Sequence, residues 1–286
     1  MNDYSIRQEH FDLYNESGNR IHGDIRYKPT LNEKPVIVIC HSFIAFKDWG
    51  FFPFIAERFT ECGYVSVIFN FSGNGVKGDD DRITDFDRFE KNTFLKEVDD
   101  LKVVIDSIWN GQIAAGVIDR SNIILLGHSR GGGVSILKAS NDERVKALVS
   151  WSTIGTFFRW TEHQKIIWRV NGFLPLAKDT TASPLRLGTD LLREIEYEKE
   201  KLDLLSAAAR IKIPWLLIHG KTDKTVPASE AEMLFNAAVK PKPELLLLDH
   251  VGHLYNAATK EEDDYKTIEM VFQKTKDWLQ KNQMKG

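Results

Sequence analysis

The chain has 286 residues, 42% of them hydrophobic and 28% charged, which is typical of a globular protein long enough to bury a large core. Its formal net charge of -3 and its pI near 6.3 exclude nucleic acid as the main partner, because phosphate binding needs a clustered basic surface. No apolar run has the length of a membrane span, and MNDYSIRQEH lacks the pattern of a secretory signal, so we expect a cytoplasmic protein.

The N-terminal third alternates between predicted strands and helices. Two segments, SIRQEHFDLY and RIHGDIRY, flank the turn-like NESGN and predict a hairpin. The apolar run PVIVIC has no polar alternation, which is typical of a strand buried on both faces. We expect a helix over FFPFIAERFTECG and a strand over YVSVIFNF. An exposed loop is predicted for KGDDDRITDFDR, and then a single helix over FEKNTFLKEVDDLKVVIDSIWNG.

The same alternation continues to the end of the chain. Strands are predicted over NIILLGH, VKALVSWS, PWLLIHG and ELLLLDH, and helices over VSILKAS, PASEAEMLFNAAV and DDYKTIEMVFQKTKDWLQKN. Strands that alternate with helices predict an α/β fold with a mostly parallel, doubly wound sheet, here preceded by antiparallel strands.

Residues 153–209 interrupt this alternation, because they contain no clear sheet strand. The segment begins with aromatic residues and continues as the charged, helix-like LLREIEYEKEKLDLLSAAAR. A long excursion between sheet strands often covers a site, so we predict a cap inserted into a core of residues 1–152 and 210–286. Its aromatic residues form either a small core of the cap or a substrate-binding surface; the candidate contacts are Phe157, Trp160 and Trp168.

Three reactive side chains follow predicted strands. Ser129 follows IILLGH, Asp223 follows WLLIHG, and His253 lies just beyond LLLLD. The carboxyl ends of parallel strands share one edge of the sheet, so these residues are expected to meet there. An imidazole can remove the serine proton during attack, and a carboxylate orients the imidazole. The sequence therefore predicts Ser129 as nucleophile, His253 as base and Asp223 as the orienting acid.

Each of the two partners of the serine has a competitor nearby. His250 directly follows its strand, whereas Gly252 gives the loop before His253 freedom to turn inward. Asp249 ends its own strand and is expected to lie in a turn or at the surface. We therefore favour His253 over His250, and Asp223 over Asp249.

The glycines around Ser129 are typical of a tight strand-to-helix turn that raises the serine above the sheet. A helix that begins at Arg130 directs free N–H groups toward a developing oxyanion. We predict the backbone N–H groups of Arg130 and Phe43 as its donors. The Arg130 side chain either recognises a substrate carboxylate or forms a salt bridge.

Metal and disulfide chemistry is not expected. His41, His128 and His219 also end strands, but no zinc-binding spacing occurs, so hydrogen-bonding support of the loops is expected. The GDDDR segment lacks the spacing of a calcium-binding loop. The only cysteines, Cys40 and Cys62, are expected to be buried free thiols.

The motifs GHSRGG, HGKTDKTVP, DHVGH and FNFSGNG resemble those of the α/β-hydrolase superfamily. Within it the chain resembles bacterial cinnamoyl/feruloyl esterases and the acylaminoacyl-peptidase-like group, from about Val36 to the C-terminus except the insertion. It departs from the family at Ser42, where glycine is common, and at Asn70 and Ser72, where Asp and Arg are common. These differences affect substrate and efficiency more than reaction type.

The resemblance implies a serine hydrolase without metal or organic cofactor. The expected substrate is a small carboxylic ester with an apolar or aromatic acyl group, cleaved through an acyl-enzyme. A thioesterase or small-peptide hydrolase uses the same residues, and a non-catalytic ligand-binding relative is the alternative of another class. A homodimer is compatible with the sequence.

Overall fold

The computed structural model describes residues 5–176, 185–257 and 265–282. Its main sheet has eight strands in the order β1-β2-β4-β3-β5-β6-β9-β10, and β7 and β8 form a separate antiparallel pair. The strands are β1 (Arg7–Tyr14), β2 (Arg20–Tyr27), β3 (Lys34–Cys40), β4 (Val65–Phe69), β5 (Ile118–His128), β6 (Val145–Trp151), β7 (Phe173–Pro175), β8 (Arg186–Gly188), β9 (Trp215–Gly220) and β10 (Glu244–Leu248).

Helices connect most of the strands. Those within the described ranges are α1 (Phe52–Glu61), α2 (Phe86–Glu90), α3 (Phe94–Trp109), α4 (Arg130–Ala139), α5 (Glu162–Asn171), α6 (Thr189–Tyr197), α7 (Leu204–Arg210), α8 (Ala228–Ala237) and α9 (Tyr265–Lys281). The single helix predicted across Glu90 and Phe94 was wrong, because the Thr93 side chain accepts a hydrogen bond from the Lys96 N–H and starts a new helix there.

The sheet is parallel from β4 through β3, β5, β6 and β9 to β10, and antiparallel at β1 and β2. The apolar runs of β3 and β4 are buried along almost their whole length, as their lack of polar alternation predicted. The edge strand β1 is mostly exposed. The α/β fold with N-terminal antiparallel strands is therefore confirmed.

Helices cover both faces of the sheet, and each face has its own apolar cluster. Residues of α3, α4, α7 and α8 join one cluster, which includes Val104 and Val134. Residues of α1 and α9 join the other, which includes Ile55 and Phe272. This is the doubly wound arrangement, and it leaves the carboxyl edge of the parallel strands open for a site.

The insertion shares a core with the sheet. Trp168 of α5, together with Leu191 and Ile195 of α6, belongs to the same apolar cluster as α3 and α4. Helix α7, at the end of the insertion, packs against α4 and α8. The separation of residues 153–209 as a cap stays a prediction.

Two further expectations concern the thiols and the membrane. Both cysteines are free; Cys40 is buried as predicted, whereas Cys62 is only half-buried. None of the helices within the described ranges combines the length and apolar character that crossing a bilayer requires.

Candidate active site

Ser129 lies between the end of β5 and the start of α4, with backbone angles of φ 55° and ψ -119°. This left-handed region is strained for a residue with a side chain, and such strain persists only where the surroundings impose it. A Cβ atom on Gly127 would lie 2.4 Å from the Gly131 carbonyl oxygen. One on Gly131 would lie 2.4 Å from the carbonyl oxygens of Cys40 and His41. Glycine is therefore required on both sides of the serine.

The side chains of Ser129, His253 and Asp223 form one hydrogen-bonded chain. The Ser129 Oγ atom lies 3.0 Å from His253 Nε2, and His253 Nδ1 lies 2.7 Å from Asp223 Oδ2. A carboxylate only accepts hydrogen bonds, so Nδ1 carries the imidazole proton and Nε2 accepts from the serine hydroxyl. The structure brings together the three residues that the sequence predicted.

The electrostatics of Asp223 keep its carboxylate charged. Burial opposes the charge, but hydrogen bonds from His219, His253 and the Val226 N–H outweigh it and hold the Asp223 pKa well below its usual range. The Asp223 Oδ1 atom accepts from the N–H groups of Thr225 and Val226, both at 2.8 Å. This carboxylate is therefore fixed in position as well as in charge.

The two competing residues lie outside this chain of hydrogen bonds. Asp249 is exposed and pairs with Lys221 at 2.8 Å. His250 is also exposed, in a left-handed backbone conformation at φ 58°. The preference for Asp223 and His253 agrees with this placement.

Two of the other strand-end histidines support the loops around the serine, as expected. His128 Nε2 donates to the His253 carbonyl at 3.0 Å. Burial is the main cause that lowers the pKa of His128 to about 3, and the nearby His253 lowers it further. His219 Nε2 donates to the Val226 carbonyl at 2.9 Å. The loops that carry the imidazole and the carboxylate are thus each held by a buried histidine.

His41 fixes the loop that carries Phe43. The Phe71 N–H donates to His41 Nε2 at 3.3 Å, so Nδ1 carries the proton and donates to the Ser42 carbonyl at 2.9 Å. Burial lowers the pKa of His41 to about 4 and keeps the ring neutral. The Ser42 carbonyl and the Phe43 N–H belong to one trans peptide, so they point in opposite directions. Holding the carbonyl therefore also fixes the direction of the Phe43 N–H.

The two predicted oxyanion donors lie in the wall of the same cavity as Ser129. Phe43 and Arg130 both border this cavity, as does Ser42. Within the described ranges, neither the Phe43 N–H nor the Arg130 N–H has a hydrogen-bond acceptor in the protein. Both N–H groups remain available for a developing negative charge. Their role as oxyanion donors stays a prediction.

The Arg130 side chain is held inside the protein by a salt bridge. Its Nε atom lies 2.9 Å from Glu97 Oε2, and the guanidinium stacks over the rings of Phe43 and Phe94 at 4.9 and 4.5 Å. Glu97 was not predicted as the partner of Arg130. The available signal was its spacing, because Glu97 lies on the buried face of α3 with Phe94 and Leu101.

The cavity beside Ser129 has a volume of about 620 Å³ and a mostly apolar wall. Its apolar lining residues are Phe43, Ile44, Trp49, Phe94, Ile154, Trp160, Val226 and Leu254. Trp160 borders this cavity, whereas Phe157 and Trp168 do not, because both side chains are fully buried behind its wall. Substrate contact by these residues stays a prediction. Phe157 packs on Phe94 at 4.2 Å between ring centroids, and Trp168 on Trp160 at 5.4 Å.

Sequence comparisons relate the chain to known proteins. A family model described as the prolyl oligopeptidase family matches residues 49–281. An Escherichia coli protein described as an uncharacterized 31.7 kDa protein in the traX-finO intergenic region is 30% identical over 242 residues. That alignment covers 74% of this chain and 80% of the Escherichia coli protein.

Solved structures share the architecture at low sequence identity. DcsB, solved in complex with its substrate analogue, has a TM-score of 0.74 and 18% identity, over 96% of this chain and 99% of its own. The α/β-hydrolase GrgF from Penicillium sp. sh18 has a TM-score of 0.72 and 17% identity, with the same coverage. Est1E from Butyrivibrio proteoclasticus, solved with ferulic acid bound, has a TM-score of 0.67 and 17% identity, over 98% of both chains. These likenesses show the α/β-hydrolase fold.

Proposed function

The chain belongs to the prolyl oligopeptidase family, a family of serine hydrolases with the α/β-hydrolase fold, and we propose that it cleaves carboxylic esters through an acyl-enzyme on Ser129. The observation that carries the proposal is the 3.0 Å contact between Ser129 Oγ and His253 Nε2, on an imidazole whose other nitrogen is held by a charged carboxylate. This arrangement activates a hydroxyl that is otherwise a weak nucleophile.

The proposed reaction has two steps. Ser129 Oγ attacks the ester carbonyl while its proton passes to His253 Nε2, and the negative carbonyl oxygen accepts from the Phe43 and Arg130 N–H groups. The bond to the leaving oxygen then breaks, and His253 returns its proton to the departing alcohol. A water molecule next attacks the acyl carbonyl while His253 takes its proton. The bond between the acyl carbon and Ser129 Oγ then breaks, His253 returns the proton to Oγ, and the acid is released.

The shape and lining of the cavity favour a substrate with an apolar or aromatic acyl group. Its wall carries the rings of Phe43, Phe94 and Trp160, and a volume of about 620 Å³ accommodates a small aromatic acid. The Est1E structure holds ferulic acid, an aromatic acid, in the same fold. A peptide bond is the second candidate, because the family description names oligopeptidases.

The first test is covalent labelling with a fluorophosphonate, read by intact mass. Wild-type protein is expected to gain one adduct and to hydrolyse aryl esters, whereas Ser129→Ala gains no adduct and loses hydrolysis while remaining folded. Ser121→Ala is the matched control, since Ser121 is exposed at the far end of the same strand. A folded wild-type protein without an adduct would refute the proposal and favour the ligand-binding alternative.

A second test addresses acyl selectivity through Trp160. Trp160→Ala removes a ring from the cavity wall, so kcat/KM for aryl-acyl esters is expected to fall about tenfold or more relative to acetyl esters. Trp109→Ala is the control, because Trp109 is exposed at the end of α3. A panel of aryl esters, thioesters and peptides measured on wild-type protein separates the candidate substrates. Equal losses for aryl and acetyl esters would contradict the proposed acyl site.

A further inference from the structure

We propose that His10, His22 and Asp79 bind one divalent transition-metal ion, with Zn²⁺ as the probe, at the β1–β2 edge of the sheet. The ligand atoms of these three side chains all lie within 4.8 Å of one another. They form the one grouping of three or more His, Cys, Asp or Glu ligands found within the described ranges. None of them borders the cavity beside Ser129, so the site is separate from the proposed hydrolase chemistry.

The hairpin places the two imidazoles side by side. In the antiparallel register His10 lies opposite Asp24, and His22 lies opposite Asp12. Side chains two positions apart on a strand project from the same face of the sheet, and so do side chains directly opposite each other on paired strands. All four of these side chains therefore share one face. The two imidazole rings are nearly parallel, at 12°, with centroids 5.9 Å apart. Asp79 approaches this face from the acidic loop after β4.

Each imidazole is oriented by a carboxylate, as metal-binding histidines usually are. His10 Nδ1 lies 2.8 Å from Asp24 Oδ1, and His22 Nδ1 lies 2.8 Å from Asp12 Oδ1. The Asp24 contact places a proton on His10 Nδ1, whereas His22 Nδ1 faces both Asp12 and, at 3.1 Å, the Arg20 Nη2 donor. The Nε2 atom of each ring is the potential metal ligand. The Nε2 atom of His22 already lies 2.8 Å from Asp79 Oδ1. A proton on Nε2 makes this contact a hydrogen bond, and a bound metal ion would replace that proton.

The charged groups around the site carry an excess negative charge that favours binding of a divalent cation. Lys47 Nζ lies 3.3 Å from Asp79 Oδ1, but it is also bound by Asp24 at 3.1 Å and Asp48 at 2.6 Å. The Oδ2 atom of Asp79 has no hydrogen-bond partner within the described ranges. The carboxylates exceed the nearby cations by one; the charged groups are Asp12, Asp24, Asp48 and Asp79 against Arg20, Arg26 and Lys47.

The donor set selects the class of ion. Two imidazole nitrogens and one carboxylate suit Zn²⁺, with water as a fourth ligand, whereas Ca²⁺ and Mg²⁺ prefer oxygen donors. Bond lengths near 2.1 Å place tetrahedral ligands roughly 3.4 Å from one another, so on binding the 2.8 Å contact between His22 and Asp79 must lengthen while the ligand atoms that lie up to 4.8 Å apart must approach. The side chains of His10 and Asp79 are 56% and 66% exposed and can turn, while His22 is 8% exposed and stays in place.

The test is a Zn²⁺ titration of untagged, chelator-treated protein by isothermal calorimetry near neutral pH. The expected result is one ion per chain with a Kd of about 10 μM or tighter, and a higher melting temperature with Zn²⁺. His10→Gln and Asp79→Asn change exposed side chains, and each is expected to weaken binding at least about tenfold. His163→Gln is the matched control, because His163 is an exposed histidine on α5.

Absence of saturable binding by the wild-type chain would overturn the proposal. So would a Kd that changes less than tenfold in either variant, or one that changes as much in His163→Gln. Circular dichroism of each variant without metal identifies any loss of fold. Fluorophosphonate labelling of Ser129 is expected to be the same in all three variants, which separates failure of the metal site from failure of the proposed hydrolase function.

Discussion

At the scale of single residues, surroundings separate side chains of the same type. Asp223 and Asp249 both follow strands of the sheet, but Asp223 is buried among donors and Asp249 pairs with Lys221 at the surface. The sequence favoured Asp223, because Asp249 ends its own strand and was expected to lie in a turn or at the surface. The contributions of His219 and of the Val226 N–H were not predictable, because they depend on how the loop closes after β9. Sequence spacing thus identifies the candidate, and loop geometry determines its charge.

Asp223→Asn tests the role of the charge on this side chain. The amide is similar in size but presents an N–H group as well as an oxygen, so it no longer enforces a proton on His253 Nδ1. We expect kcat for ester hydrolysis to fall about 10³- to 10⁴-fold, with KM little changed. Steady-state kinetics on an aryl ester measures this. Asp249→Asn is the control and should retain wild-type rates; similar losses in both variants would contradict the assignment.

At the scale of elements, the insertion is joined to the core at the start of α3. Glu194 of α6 accepts hydrogen bonds from the N–H groups of Phe94 and Leu95, at 2.7 and 3.1 Å. The first N–H groups of a helix have no partner within it, so a carboxylate there satisfies them and interacts favourably with the helix dipole. The same turn of α3 carries Phe94 into the cavity wall and Glu97 to Arg130. One contact therefore links the insertion to the predicted oxyanion region.

Glu194→Ala is expected to loosen this junction. Two N–H groups lose their acceptor, which costs about 1–2 kcal/mol of unfolding free energy. Hydrogen exchange should increase in the first turn of α3 and in α6, while α9 on the other face of the sheet stays protected. Glu196→Ala is the control, because Glu196 pairs with Arg169 within the insertion. Unchanged exchange at Phe94 and Leu95 would show that Glu194 does not hold this helix end.

At the scale of the whole molecule, local patterns predicted the framework and missed its long-range polar contacts. The continuous apolar runs predicted β3, β5 and β9, because burial on both faces shows within a single segment. The contact of Glu194 with α3 joins residues about one hundred positions apart. The hydrophobic periodicity of a segment cannot predict a contact between residues so distant in the chain. The split between α6 and α7 was likewise missed, although Asp203 caps the second helix with its side chain.

The buried histidines make the stability of the whole fold depend on pH. Burial lowers the pKa of His41 to about 4 and that of His128 to about 3, whereas an unfolded imidazole takes up a proton near 6.5. Between these values the unfolded chain binds more protons, so stability is complete above about pH 6.5 and is lost as the pH falls. Each histidine is expected to cost about 2 kcal/mol of unfolding free energy between pH 7 and pH 5.

Urea unfolding at pH 7 and pH 5 measures this loss. His41→Gln removes one titrating group, so its unfolding free energy should fall less over that interval than that of the wild type. His163→Gln removes an exposed histidine and should keep the wild-type slope. A wild-type slope in His41→Gln would mean that His41 does not titrate differently in the folded and unfolded chains.

The shared apolar cluster limits how this protein can be recombined with its relatives. Trp168, Leu191 and Ile195 of the insertion pack in the same cluster as residues of α3 and α4. A graft that exchanged only residues 153–209 would leave the buried face of α3 that packs on the insertion without its matching surface. A functional chimera would therefore have to transfer α3 together with the insertion. In this architecture the unit of exchange is a group of interlocking elements that are distant in sequence, rather than one contiguous stretch of chain.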